Sequence, residues 1–182
     1  MNGFAIETPR LRLRPWREED KPAFHDIINT PAMMRWFGGV APRAAIDALI
    51  DGQIAAQAKH GRSMWAVELH DGELVGICGV RRCEALPGTP VDGLLEIGWR
   101  VAEPFWGTGV AREAAEASLA WAWGNTADPF VAGWTNPPNE RSLGLMRKLG
   151  MRRRPELDFA HPRYEPGDPL GAMLVHAAER PR

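Results

Sequence analysis

The sequence predicts a single mixed α/β domain, and three observations point there. A length of 182 residues with 45% hydrophobic and 25% charged residues suits one globular unit with a sizeable core. A hairpin signature occupies the first half, where a flavodoxin-like nucleotide-binding module would alternate strand and helix. A strand, a glycine loop and a long helix follow one another in the second half. No internal repeat or low-complexity linker divides the chain, so the domain is expected to cover residues 1–182.

Each element can be justified in turn. Leu11-Arg12-Leu13-Arg14 alternates apolar and charged residues, the period of a strand with one face on the core. Residues 17–29 place Ala23, Phe24, Ile27 and Ile28 at helical spacing, with acidic residues in the first turn where the helix dipole favours them, and Pro31 is expected to stop this helix. Residues 33–39 read as a loop that gathers flexible and aromatic side chains, which either line a pocket or cover the core. A second helix is expected over residues 42–60, closed by Gly61. Residues 64–69 and 74–80 form a hairpin around Asp71-Gly72, which supplies the positive φ of a tight turn. After a turn at residues 85–90 comes a fourth strand, residues 94–101; a glycine-bearing loop then feeds a long buried helix over residues 110–123. A fifth strand spans residues 130–135, a helix spans 139–149 and ends at Gly150, and two last strands lie around 152–159 and 170–176.

Charge and cysteine content exclude several functions. Lys plus Arg number 22 against 23 Asp plus Glu, so no net field draws the chain to nucleic acid or an anionic membrane. Arg152-Arg153-Arg154 reads as a solvated edge. Cys78 and Cys83 lie an odd number of residues apart on a strand-like run, pointing to opposite faces without pairing, and nothing around them has zinc-ligand spacing. No metal is expected. The opening residues 1–7 lack a signal-peptide pattern and no window is apolar enough to span a bilayer, which fits a cytoplasmic protein.

A strand, a glycine loop and a helix together create an anion site, because glycine lets the backbone approach and the first helical N–H groups point at phosphate. Gly107-Thr108-Gly109-Val110-Ala111 has this form. It lacks the third glycine of a dinucleotide loop and the Gly-Lys-Ser/Thr ending of a triphosphate loop, which leaves a pyrophosphate held by backbone N–H groups.

Three motifs in order now become specific: Glu96-Ile97-Gly98-Trp99-Arg100-Val101; Trp106-Gly107-Thr108-Gly109-Val110-Ala111-Arg112; and Asn136-Pro137-Pro138-Asn139-Glu140-Arg141-Ser142 with Arg147-Lys148-Leu149-Gly150. With the opening Thr8-Pro9-Arg10-Leu11-Arg12, the chain resembles the GNAT acetyltransferases, closest to their ribosomal-protein-alanine N-acetyltransferase-like (RimJ/RimL) branch. The resemblance implies a mostly antiparallel seven-stranded sheet splayed between strands four and five, about four flanking helices, and acetyl-CoA as co-substrate. It further implies that the backbone of Trp99, Arg100 and Val101 pairs with the pantetheine amides. Trp106, Gly107, Thr108, Gly109, Val110, Ala111 and Arg112 would surround the pyrophosphate, with Asn139 and Ser142 near the arm and the sulfur. Arg112 would add charge to the phosphates or serve in a surface ion pair.

Two departures affect the chemistry. Trp106 stands where the family's phosphate motif opens with Arg or Gln, and Met146 stands where many members carry a tyrosine acid. Methionine cannot donate a proton. Ser142, four residues earlier on the same helical face, is the candidate to protonate the departing thiolate, with helix capping as its alternative role. An attacking amine must be neutral, and Glu96 is the candidate base; a carboxylate in an apolar strand would have a raised pKa, and its alternative is a structural ion pair. His161 and His25 are weaker candidates. Met33, Met34, Trp36 and Phe37, with Trp65 and His161, are expected to shape the acceptor pocket. The expected reaction is direct transfer of acetyl to a primary amine, on a protein N-terminus or a small molecule, in a ternary complex. The alternative is a non-catalytic acyl-CoA sensor. A homodimer is expected from the family, with several of the eight tryptophans exposed.

Overall fold

A computed structural model describes residues 4–181; Met1–Gly3 of the opening segment and the last residue of the expected domain lie outside the described residues. Nine strands are found among them: β1 (Ile6–Glu7), β2 (Leu11–Arg14), β3 (Met64–Leu69), β4 (Leu74–Arg82), β5 (Leu95–Val101), β6 (Phe130–Thr135), β7 (Arg152–Arg153), β8 (Phe159–Ala160) and β9 (Ala172–Glu179). Five α-helices accompany them: α1 (Lys21–Ile28), α2 (Pro31–Met34), α3 (Arg43–His60), α4 (Val110–Asn125) and α5 (Glu140–Lys148). The sheet runs β1-β2-β3-β4-β5-β6-β9-β7, with β8 pairing β9, and every pairing is antiparallel except β5 with β6.

Two layers of helices cover this sheet. α4 and α5 pack on one face, where Val110, Ala114, Ala115 and Leu119 meet Leu11, Leu13, Val67, Cys78 and Ile97. Alanines along the buried side of α4 let the helix sit close to the strands. α1, α2 and α3 cover the other face, where Phe24, Ile28, Met33, Met34, Ile46 and Ile50 close over Ala66 and Ile77.

Several expectations are corrected. Pro31 does not merely stop the first helix: it occupies the first turn of α2, where a missing N–H is harmless, and Thr30 caps that turn by accepting from Met33 N. Residues 31–37 are therefore helical, α2 running into a 3₁₀ turn (Arg35–Phe37), rather than loop. The first helix is shorter than residues 17–29, with a 3₁₀ turn at Glu18–Asp20 before α1. The penultimate strand is broken into β7 and β8 by a 3₁₀ turn at Pro155–Leu157, since proline cannot donate to a ladder. With the short β1 this makes nine strands in place of seven, and α2 makes five helices in place of four. Arg14, expected on the solvent side of its strand, is buried between Asp20 (2.8 Å) and Glu68 (2.7 Å). No tryptophan is exposed; Val40 is the exposed large hydrophobic residue among those described.

Candidate active site

The parallel pair β5–β6 shapes the site. β4 and β5 pair along seven residues, from Gly76↔Val101 to Arg82↔Leu95, but β5 and β6 share a single register pair, Glu96↔Ala132. Beyond it the strands part, so the facing backbone groups of residues 98–101 have no ladder partner from β6. Such groups need hydrogen-bond partners. A cleft of about 1030 Å³ runs through this gap from the Trp106–Gly109 loop to Glu96 and Phe37, reaching both faces of the sheet.

At the loop end, Gly107 (φ 79°) and Gly109 (φ 90°) adopt left-handed conformations, and Gly109 is the N-cap of α4 without a side-chain cap. The first N–H groups of a 16-residue helix thus open toward the cleft beside Gly107, Gly109, Ala111 and Arg112. This backbone cradle and the unpaired edge of β5 fit a pyrophosphate and an amide-bearing arm. The loop is braced from afar: Glu113 accepts from Thr8 Oγ1 (2.7 Å), Arg10 N (2.9 Å) and Arg10 Nε (2.6 Å), while Arg10 Nη1 donates to the Thr108 carbonyl (3.0 Å). Burial alone would raise the Glu113 pKa, but these hydrogen bonds hold it below the usual carboxylate range. The Thr8-Pro9-Arg10 motif is therefore part of the loop's support.

The Trp106 indole donates to the Val101 carbonyl (2.6 Å), and Arg141 stacks 4.2 Å over its ring, bridging the loop to α5. Thr108 and Val110 do not line the cleft with the other loop residues; Val110 is buried against the core. Arg112 pairs with Glu116 one turn along α4 (2.8 Å), the ion-pair alternative of its two readings. Asn139 caps α5, accepting from Ser142 N (3.3 Å) and donating to Thr135 Oγ1 (3.0 Å); both Asn139 and Ser142 line the cleft, and Met146 is buried beside them.

Across the gap, alternation along β5 turns Glu96, Gly98 and Arg100 to the α1–α3 face and Ile97, Trp99 and Val101 to the α4 face. Glu96 is 4% exposed and accepts from Arg81 Nε (2.6 Å), its register partner on β4. Met33, Trp36, Phe37 and His161 line the cleft. Met34 and Trp65 do not. Met34, the last residue of α2, is buried in the core between α1, α3 and the sheet, and Trp65, fully buried, donates to Gln57 Oε1 (2.9 Å) in the core. His161 Nδ1 accepts from Arg163 N (3.2 Å), which leaves the proton of the neutral ring on Nε2; burial and the Arg163 charge lower its pKa. His25 on α1 bonds to Asn29 and is outside the cleft. Sequence reasoning missed Arg81, Arg141, Arg163 and Tyr164, all in the cleft lining. Both cysteines are free, and burial pushes each thiol up to about 12, so neither is an activated nucleophile.

A sheet parted between two parallel strands, with a glycine-bounded helix start at one end of the gap and a carboxylate at the other, is the arrangement of an acyltransferase. The chain belongs to the acetyltransferase (GNAT) domain family, whose model it matches over residues 10–152. It is an acyltransferase, with the family's mixed α/β fold. It is 27% identical to the uncharacterized protein YkkB of Bacillus subtilis (strain 168) over 148 residues, 80% of this chain and 84% of that one. The acetyltransferase from Agrobacterium tumefaciens str. C58 superposes with a TM-score of 0.77 at 25% identity, covering 98% of this chain and 96% of that chain. RimL, a ribosomal L7/L12 alpha-N-protein acetyltransferase solved in complex with coenzyme A, shares the fold with a TM-score of 0.75 at 17% identity, covering 97% and 98%. Among the described residues no helix is long and apolar enough to cross a membrane, and no cluster of three metal-ligating side chains is found.

Proposed function

We propose that the chain is an acetyl-CoA-dependent N-acetyltransferase acting on a primary amine, of a protein N-terminus or a small molecule, by direct attack in a ternary complex. The observation that carries this reading is the cleft open to both faces of the sheet at the β5–β6 gap, which lets donor and acceptor enter from opposite sides. Residues 4–181 act as one acetyltransferase domain. The fold shared with RimL, whose name gives a peptide N-terminus as its acceptor, supports a RimJ/RimL-like placement. A cytoplasmic homodimer belongs to the same reading and is supported by the family resemblance and the free thiols.

The backbone of Trp99, Arg100 and Val101 would hold the pantetheine arm, and the N–H groups after Gly107 and Gly109 the pyrophosphate, with Arg141 stacked over Trp106 beside them. When bound, acetyl-CoA supplies a thioester carbonyl as electrophile. Glu96 accepts, directly or through water, the proton that the amine must lose, and the hydrogen bond from Arg81 Nε fixes its orientation. The Ser142 hydroxyl, facing the cleft near Met146, donates to the departing sulfur. His161 Nε2 carries a proton in the neutral ring and so serves as a donor to the acceptor, not as the base.

Release of the CoA thiol in the presence of amines and peptide N-termini tests this. Wild type is expected to release thiol only with an acceptor present. Glu96→Gln is expected to lower kcat by about 10²- to 10⁴-fold, and Ser142→Ala by a smaller factor, with acetyl-CoA affinity retained in both. Unchanged kcat in Glu96→Gln rejects its role as base.

A further inference from the structure

The acceptor face of the cleft holds more positive charge than its own residues balance. Arg81 is neutralised by Glu96. Arg100, partly buried on the same face of β5, has no hydrogen bond and no carboxylate within ion-pair distance among the described residues. It stacks on Phe37, whose ring lies 3.9 Å beneath the guanidinium. A stacked guanidinium keeps its edge free, and that edge carries N–H donors in a fork that matches a carboxylate or phosphate. Phe37 holds a second cation as well: its carbonyl accepts from Arg163 Nη2, and Arg163, exposed at the cleft rim, has no carboxylate partner among the described residues. One residue of the 3₁₀ turn thus presents two unbalanced guanidinium groups to the cleft.

We infer that these two arginines form an anion-recognition subsite, and that the acceptor is an amine carrying a carboxylate: an amino acid, or a peptide whose N-terminal residues are acidic. The inference rests on the acetyl-transfer reading and narrows it to a substrate class. Burial, then the charges of Arg81 and Arg163, pull Arg100 down to about 10, which fits a cation held without an anion. It stays protonated at neutral pH, and a bound carboxylate relieves the repulsion. The near-neutral chain exerts no long-range steering, so recognition is local.

Two measurements test this on wild type, Arg100→Met, Arg100→Lys and Arg163→Gln. The first is kcat/KM for matched acceptors: amino acids against their α-amides, and peptides with Asp or Glu against Asn or Gln at the second residue, with a phosphoserine peptide as a separate arm. Wild type is expected to prefer the carboxylate member by about tenfold or more. Arg100→Met should abolish the preference, Arg100→Lys should restore part of it, and Arg163→Gln should weaken it. The second is Tm without acetyl-CoA. Carboxylate acceptors, but not their amides, are expected to raise Tm in wild type and not in Arg100→Met. Arg100→Met alone is expected to be at least as stable as wild type, where a structural role for Arg100 predicts a lower Tm. Equal turnover of both members of each pair overturns the inference and leaves acetyl transfer intact, and a preference confined to the phosphoserine arm overturns the carboxylate assignment. If no acceptor is turned over, the acetyl-transfer reading fails, and the thermal shift alone decides: a carboxylate-specific rise lost in Arg100→Met supports the subsite, and its absence in wild type overturns it.

Discussion

At the scale of single residues, partners decide what each ionisable group can do. Glu96 was legible as a carboxylate on an apolar strand, but Arg81 was not legible as its partner, because the pairing depends on the β4–β5 register set by the intervening turn. Arg100 stood two positions from Gly98 and four from Glu96, so its shared face followed from strand alternation; its lack of a partner did not. Trp65 is the opposite case. An aromatic beside the acceptor pocket in sequence order is a core residue in space, edge-on to Trp121 at 5.1 Å between ring centroids. Two histidines bear on the pH response. His176 is buried on β9 with Nδ1 unpartnered, and burial followed by the Arg153 charge lowers its pKa; His161 is lowered similarly. A folded-state pKa below the ordinary 6.5 means that the unfolded chain takes up the proton first as pH falls. Stability is therefore expected to be full above that value and to decline below it, in the same direction as the later loss from Asp128 and Asp158, whose ion pairs with Arg82 and Arg153 outweigh burial and hold them low. Thermal melts at successive pH values check this: His176→Leu should show a shallower decline below pH 6.5 than wild type. An identical decline in the variant assigns the titration elsewhere.

At the scale of elements, the strand, glycine loop and helix unit was read correctly because three local signals agree: an apolar run, paired glycines and an alanine-rich amphipathic stretch. The bracing of that loop by Thr8 and Arg10 was invisible, since it joins residues about a hundred positions apart. The segment 31–37 was misread for a local reason. Proline ends one helix and opens another with equal ease, and only the Thr30 cap distinguishes them. Gly109 gives the element its sharpest test. At φ 90° a side chain is strained by roughly 1–2 kcal/mol, and a Cβ there would meet Arg10 Nη2 at 3.2 Å. Gly109→Ala is expected to weaken acetyl-CoA binding by about tenfold, read by calorimetry, while leaving the α1–α3 face and its acceptor preference unchanged. Retained affinity removes the loop from the cofactor site.

At the scale of the whole molecule, the sheet serves as a partition. Helices α4 and α5 and the glycine loop belong to one side, α1 to α3 and the two unbalanced arginines to the other, and the parted β5 and β6 join them. The order of elements and the glycine loop before α4 are legible in the sequence, because their motifs are contiguous. The α1–α3 side of the cleft, the proposed acceptor side, is assembled from the 3₁₀ turn at Arg35–Phe37, β5 and the segment around His161, so no single stretch of sequence encodes it. Amide hydrogen exchange with and without acetyl-CoA tests the partition most directly. Protection is expected at residues 98–101 of β5 and 107–112 at the start of α4, with α1 and α3 unchanged; protection centred on α1 and α3, or none in β5, would contradict a donor seated between the parted strands.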